Sequence, residues 1–212
     1  MTPAASDAPA HTRSYRLELD AWGVVFCGGA SRRMGRDKAC LVLDGEAMIQ
    51  RAVRVLAATT PRVLLASGDA PRYPELGLEC LVDAREGAGP LAGLEAVLAR
   101  IEREGVAYAC VLACDMPSVS PNVFHSLLAR ARSDAADLCL VRTRAGLEPL
   151  CGIYHARCLP AVRAALARGA RRMDSFHGGV RLVTLDEHEL GPDCARNLNT
   201  PDEFRAAGGS FA

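Results

Sequence analysis

From Ala21 onward, short apolar or β-branched runs alternate with longer segments of helical period, and this alternation restricts the fold more than any other feature of the chain. It is the mark of βαβ units built on a mainly parallel sheet. The runs predict strands over residues 23–27, 62–66, 79–83, 107–113, 137–143 and 180–185, with a further apolar segment over 149–154. Helices are expected over about 46–58, from Pro90 to near Gly105, from Ser120-Pro121 onward, and over about 157–168 with Gly169 as the stop. Thr200-Pro201-Asp202-Glu203 is a capping box that opens a short terminal helix. Residues 107–113 are apolar throughout, as a central parallel strand covered on both faces must be. The expected class is α/β: a three-layer α/β/α sandwich on a Rossmann-like, mainly parallel sheet, with ligands beyond the carboxyl ends of the strands.

A length of 212 residues suits one domain rather than two. Residues 1–20 read as a flexible N-terminal arm, and 21–212 as a single domain. The arm lacks the apolar core of a secretory signal. The longest uncharged apolar run, residues 108–114, is far shorter than the roughly 18 residues of a membrane helix, so a cytoplasmic protein is expected. The 25 Lys plus Arg balance the 25 Asp plus Glu, and nothing global points to nucleic acid or a membrane surface. An anionic ligand must therefore be met by local positive charge. The nine cysteines are odd in number and form no CxxC pair, which favours buried reduced thiols over a zinc site or a thiol redox centre.

The chemistry concentrates in loops. Directly after the first strand stands Gly28-Gly29-Ala30-Ser31-Arg32-Arg33-Met34-Gly35-Arg36-Asp37-Lys38, which is neither a Walker A loop nor a dinucleotide fingerprint. Adjacent glycines let backbone N–H groups approach an anion, and Arg32, Arg33, Arg36 and Lys38 against Asp37 leave a local charge of plus three, four minus one. A solvated turn is the bland alternative. Lys38 is the expected mobile point charge for a triphosphate, with Arg33 as a second catalytic cation. Asp115 lies just past the most buried strand, where a carboxylate can hold Mg²⁺, although an Asp before Met-Pro also suits a plain turn. Asp83 ends another strand and faces the same crevice. Arg171 and Arg172 close a helix, where they could equally be surface charges. Asn197 and Asn199 put two amides on one side of an extended stretch.

In order and spacing, five motifs resemble the molybdenum cofactor guanylyltransferases over about residues 24–207. They are Gly28-Gly29-x-Ser31-x-Arg33-Met34-Gly35-x-x-Lys38, Asp83 with Gly89-Pro90-Leu91-Ala92-Gly93, Cys114-Asp115-Met116-Pro117, Gly169-x-Arg171-Arg172, and Asn197-Leu198-Asn199-Thr200-Pro201. The chain departs from the family at Glu86, where a Pro is usual. The resemblance implies a fold of the nucleotide-diphospho-sugar transferase type and transfer of GMP from Mg-GTP to the terminal phosphate of molybdopterin, with pyrophosphate released. It places Phe26, Cys27, Gly28 and Gly29 at the nucleotide, together with Lys38, Ser67, Asp83 and Asp115. Asp115 is also the implied Mg²⁺ ligand. Arg171, Arg172, Asn197 and Asn199 fall to molybdopterin or the molybdenum cofactor. Transient contacts with cofactor-biosynthesis proteins and apo-molybdoenzymes follow from the same likeness. Cytidylyl transfer, another phosphorylated acceptor, or a non-catalytic nucleotide- or cofactor-binding module are the alternatives. None of the five histidines sits in a nucleophile motif, and a phosphate nucleophile with a second pKa near ~6 requires no base.

Overall fold

The computed structural model of the protein describes residues 20–28, 37–83, 85 and 87–210. All but the last residue of the expected arm, and residues 29–36 with Gly29 and Arg33, lie outside them. Asp20, assigned to the arm, already belongs to the fold: its carbonyl accepts from Ala107 N at 3.0 Å and Tyr108 N at 2.9 Å, and its carboxylate pairs with Arg132.

The chain runs through β1 (Ala21–Phe26), β2 (Val42–Leu43), β3 (Glu46–Ala47), α1 (Met48–Ala57), β4 (Val63–Ala66), β5 (Glu79–Leu81) and α2 (Pro90–Arg103). It continues through β6 (Tyr108–Ala113), α3 (Pro121–Ser133), β7 (Leu138–Thr143), β8 (Gly146–His155) and α4 (Leu159–Ala167). It closes with β9 (Leu182–Asp186), α5 (Glu187–Leu190), α6 (Pro201–Ala206) and β10 (Gly209–Ser210). The main sheet has seven strands in the order β5-β4-β1-β6-β8-β7-β9, parallel except that β8 runs against both neighbours.

Side chains of β1 alternate between two cores. Val25 and Cys27 join α1 and α3 on one face, through Ile49, Leu56, Phe124 and Leu127. Val24 and Phe26 join α2 and α4 on the other, through Leu94, Leu98, Val162 and Leu166. The three-layer α/β/α sandwich is therefore what these residues build. Among the described residues no helix is long and apolar enough to cross a membrane. All nine cysteines are free, and six of them are buried.

Several boundaries differ from expectation: β1 runs over 21–26, β8 over 146–155 and β9 over 182–186, and three others shift for a plain local reason. The helix expected from Glu46 begins at Met48, because Glu46 and Ala47 form a hairpin with β2 across Asp44 and Gly45, whose φ values of 52° and 80° suit a two-residue turn. The helix expected from Arg157 opens as a 3₁₀ turn and becomes α-helical at Leu159, with Pro160, which lacks an N–H, in its first turn. The strand expected at 79–83 stops at Leu81, and Asp83 N turns to the Gly68 carbonyl at 2.9 Å.

Beside the main sheet, β10, β2 and β3 form a small antiparallel sheet. It sits with a satellite cluster of Leu41, Leu43, Met48, Leu198 and Phe204. This cluster packs the segment after Lys38 against the segment around Asn197 and Asn199.

Candidate functional site

From β1 the chain crosses to β4 and β5 on one side of the sheet, then to β6 on the other, so the crevice beyond β1 and β6 lies at the switch point where α/β sheets bind ligands. A cleft of about 620 Å³ opens there. Phe26, Cys27 and Gly28 leave β1 into it, and Cys114 and Asp115 leave β6. Cys114 N donates to the Phe26 carbonyl at 3.2 Å, so the two strand ends stay joined at the cleft floor. Burial pushes the Cys27 thiol up to about 12, which keeps it protonated and unreactive.

At Gly28 a Cβ would lie 2.8 Å from Gly68 N and 2.9 Å from the Ser67 carbonyl carbon. The first glycine of the loop is thus required by a backbone crossing with the loop after β4. Ser67, expected at the nucleoside, is only 3% exposed and uses its hydroxyl inside that loop. It donates to the Ala70 carbonyl at 2.6 Å and accepts from Cys80 Sγ at 2.9 Å. Its neighbours Gly68 and Asp69 line the cleft in its place.

Lys38 begins a 3₁₀ turn capped by Asp37, whose Oδ1 accepts from Ala39 N at 3.2 Å. Asp37 Oδ2 takes the Tyr73 hydroxyl at 2.7 Å and pairs with Arg72, which also donates to the Cys27 carbonyl at 3.3 Å. Burial and the Asp37 carboxylate push the Tyr73 phenol up, so it stays a donor. The carboxylate counted against the loop's positive charge is therefore matched by an arginine from a different loop.

Lys38 Nζ lies 3.2 Å from Asp115 Oδ2 and donates to Asn199 Oδ1 at 2.8 Å. The other carboxylate oxygen of Asp115 is buried and has no hydrogen-bond partner among the described residues. Leu198 N donates to the Asp115 carbonyl at 2.9 Å, which straps the late segment to β6. The capping box expected at Thr200 is present, and Glu203 accepts from Asn199 N at 2.7 Å, fixing that residue at the helix entrance. Asn197 also lines the cleft, and its Nδ2 donates to Glu148 Oε2 at 2.7 Å. Sequence reasoning passed over Glu148, which sits within an apolar stretch. The signal available was Pro149, a residue that central strands tolerate only at irregularities.

Asp83 presents a second buried oxygen, Oδ1, that has no partner among the described residues. Burial, and then the charge of Asp69, raise its carboxyl above the ordinary carboxylate value. Gly93 of α2 makes room for it: a Cβ there would lie 3.3 Å from this oxygen and 3.1 Å from the Phe26 ring.

Arg171 and Arg172 do not line the cleft. The 3₁₀ stretch Met173–Gly179 buries Met173 and Phe176 and leaves the two preceding arginines exposed. Arg172 pairs with Asp174 at 2.7 Å. Arg171 accepts from Leu91 N at 3.3 Å through its carbonyl, beside Gly89 at the cleft rim. Its contribution to the site is the seating of the α2 N-terminus.

The assembled groups are a lysine held between a carboxylate and an amide, a carboxylate oxygen without a hydrogen bond among the described residues, and a second, half-buried carboxylate across the crevice. Such a set suits a polyphosphate and a divalent ion. The family model described as MobA-like NTP transferase domain matches residues 23–182. A relative from Opitutus terrae, named "Probable molybdenum cofactor guanylyltransferase", is 39% identical over 85% of this chain and 91% of its own length. Another of that name, from Pelotomaculum thermopropionicum, is 34% identical over 88% of this chain and 91% of its own. The crystal structure of molybdopterin-guanine dinucleotide biosynthesis protein A from Archaeoglobus fulgidus superposes with a TM-score of 0.71 at 22% identity, covering 88% of this chain and 96% of that one.

Proposed function

Because the chain belongs to the molybdenum cofactor guanylyltransferases of the MobA-like NTP transferase family, we propose that the cleft between β1 and β6 is where GMP passes from GTP to molybdopterin. The chain is a nucleotidyltransferase: it forms molybdopterin guanine dinucleotide and releases pyrophosphate. The observation that carries the assignment of the site is Lys38, held between Asp115 and Asn199 at the switch point of the sheet.

In the reaction an oxygen of the terminal phosphate of molybdopterin forms a bond to the α-phosphorus of GTP, and the bond from that phosphorus to the bridging oxygen breaks. The nucleophile is largely dianionic at neutral pH, so no residue has to remove a proton. The difficulty is bringing two anions together in line, and positioning with charge neutralisation answers it. Lys38 supplies a cation from the β1 side. Phe26, Cys27, Gly28 and Asp83 form the nucleotide side, and Gly29 and Arg33, outside the described residues, keep the nucleotide and catalytic roles that the family resemblance implies. Asn197 and Asn199 flank the acceptor side, with Arg171 and Arg172 at the rim.

Asp115 Oδ1 fits a divalent ion, since it is a hard oxygen donor of a cleft-lining residue and has no hydrogen bond among the described residues. Asp115 would hold that ion, and Mg²⁺ is our assignment. When bound, it would offset charge on the triphosphate and the leaving pyrophosphate. Residues 21–212 act in this reading as one domain, located in the cytoplasm.

The test is pyrophosphate release by the full chain with molybdopterin, Mg²⁺ and either GTP or CTP. GTP is the expected donor. Lys38→Ala and Asp115→Ala are each expected to lower turnover by about 10²–10³-fold, the usual scale for a lost electrostatic group. Their melting points should stay within a few degrees of wild type, because a partly exposed pair is worth only about 0–1 kcal/mol. Near-full transfer by either variant removes that residue from the mechanism, and preference for CTP makes the chain a cytidylyl enzyme.

A further inference from the structure

Glu148 sits on β8, whose register against β7 shifts next to the cleft. Along β8, Gly152 pairs with Leu140 and Glu148 with Val141, so three residues, Pro149, Leu150 and Cys151, bulge without partners on β7. Tyr154, fully buried, donates its hydroxyl to the Pro149 carbonyl and holds the bulge in place. A bulge beside a site re-aims side chains. Here Leu150 enters the cleft, while Glu148 stands behind Asn197 and accepts its amide N–H.

An ionised carboxylate can only accept, so this bond decides which end of the Asn197 amide faces where. With Nδ2 spent on Glu148, the Oδ1 of Asn197 remains an acceptor with no partner among the described residues. Leu198 N is tied to the Asp115 carbonyl, which seats Asn197 alongside that aspartate. Asp115 and Glu148 are close enough that the charge of Asp115, after burial itself, raises the Glu148 carboxyl, with the Asn197 bond acting the other way. Asp115 and Glu148 are two carboxylates against the single charge of Lys38 on this wall of the cleft, an imbalance that a divalent ion would offset.

We infer that Glu148 is a positioning residue: by binding the amide N–H of Asn197 it turns the carbonyl of Asn197 toward the cleft, as a second oxygen donor beside Asp115 for the divalent ion. The inference rests on the cleft being the nucleotidyl-transfer site. It gives Asn197 a role toward the ion, in place of a hydrogen-bond donor role toward an anionic acceptor.

The test is Mn²⁺ binding to the full chain in the presence of GTP, read by loss of the free-ion electron paramagnetic resonance signal, with melting curves for every variant. Asn197→Ala and Glu148→Ala are each expected to weaken Mn²⁺ about tenfold. The double variant should be no weaker than Asn197→Ala alone, because the two residues act in series. Glu148→Gln keeps an acceptor opposite the amide and should recover affinity to within about threefold of wild type. If Glu148→Ala melts early, this last variant and Asn197→Ala carry the comparison. Affinity within twofold of wild type in folded Glu148→Ala or Asn197→Ala, alongside a loss in Asp115→Asn, overturns the inference and leaves the site standing. Unchanged affinity in Asp115→Asn overturns the site itself.

Discussion

Asp83 shows how a single side chain can oppose the fold it belongs to. Its buried oxygen lacks a partner among the described residues, and burial with Asp69 nearby raises its carboxyl. Folding therefore disfavours the charged form: the penalty is absent below the ordinary carboxylate value and appears as pH rises through the elevated one. Asp83→Asn should thus melt about 1–3 °C above wild type at pH 7, with the gain shrinking toward pH 4, while losing GTP affinity. Melting curves across that range, paired with a GTP titration, check both halves; a variant that melts lower at pH 7 refutes the account. Asp83, Asp115 and Lys38 were legible because each follows a strand or a glycine loop, where position alone predicts a crevice. At Ser67 the structure adds what position could not supply. Sequence position brought it to the strand end but could not show that its hydroxyl bonds back to Ala70.

Among the elements, the crossing of the β1 and β4 ends sets the shape of the nucleotide side. Gly28 meets backbone at under 3 Å where a side chain would begin, and backbone cannot yield as a flexible side chain can. Gly28→Ala should cost about 1–3 kcal/mol through overpacking, lowering the melting point by several degrees. Gly45→Ala, with open space at its Cβ but a φ of +80°, pays only backbone strain and serves as the comparison. Equal losses in the two variants contradict the crossing. The strands of the central sheet and helices α2 and α3 were readable because long apolar runs and periodic stripes leave few other folds. The two-residue strands β2 and β3 are too short to show a period. Asp44-Gly45 was the available signal, a strong hairpin dipeptide flanked by apolar residues. The bulge of β8 left still less trace, since nothing but Pro149 marks it.

Across the whole molecule, Lys38 and Asn199 meet although 161 positions separate them. The satellite cluster keeps them together: Leu41, Leu43 and Met48 follow the lysine, and Leu198 and Phe204 flank the asparagine. Phe204 is 1% exposed, and its ring lies against Gly209, where a Cβ would come within 2.2 Å. Phe204→Ala should cost about 3–5 kcal/mol and, assayed well below its melting point, should also slow transfer, since the cavity loosens both partners of the bond. Full transfer activity in the folded variant contradicts that coupling. Synthesis runs from the first of these two partners toward the second. A ribosome that has delivered the glycine loop and both aspartates has yet to add Asn197, Asn199 and the packing that holds Lys38. A product truncated before Asn197 therefore carries the lysine and the aspartates of the cleft without the segment that seats them.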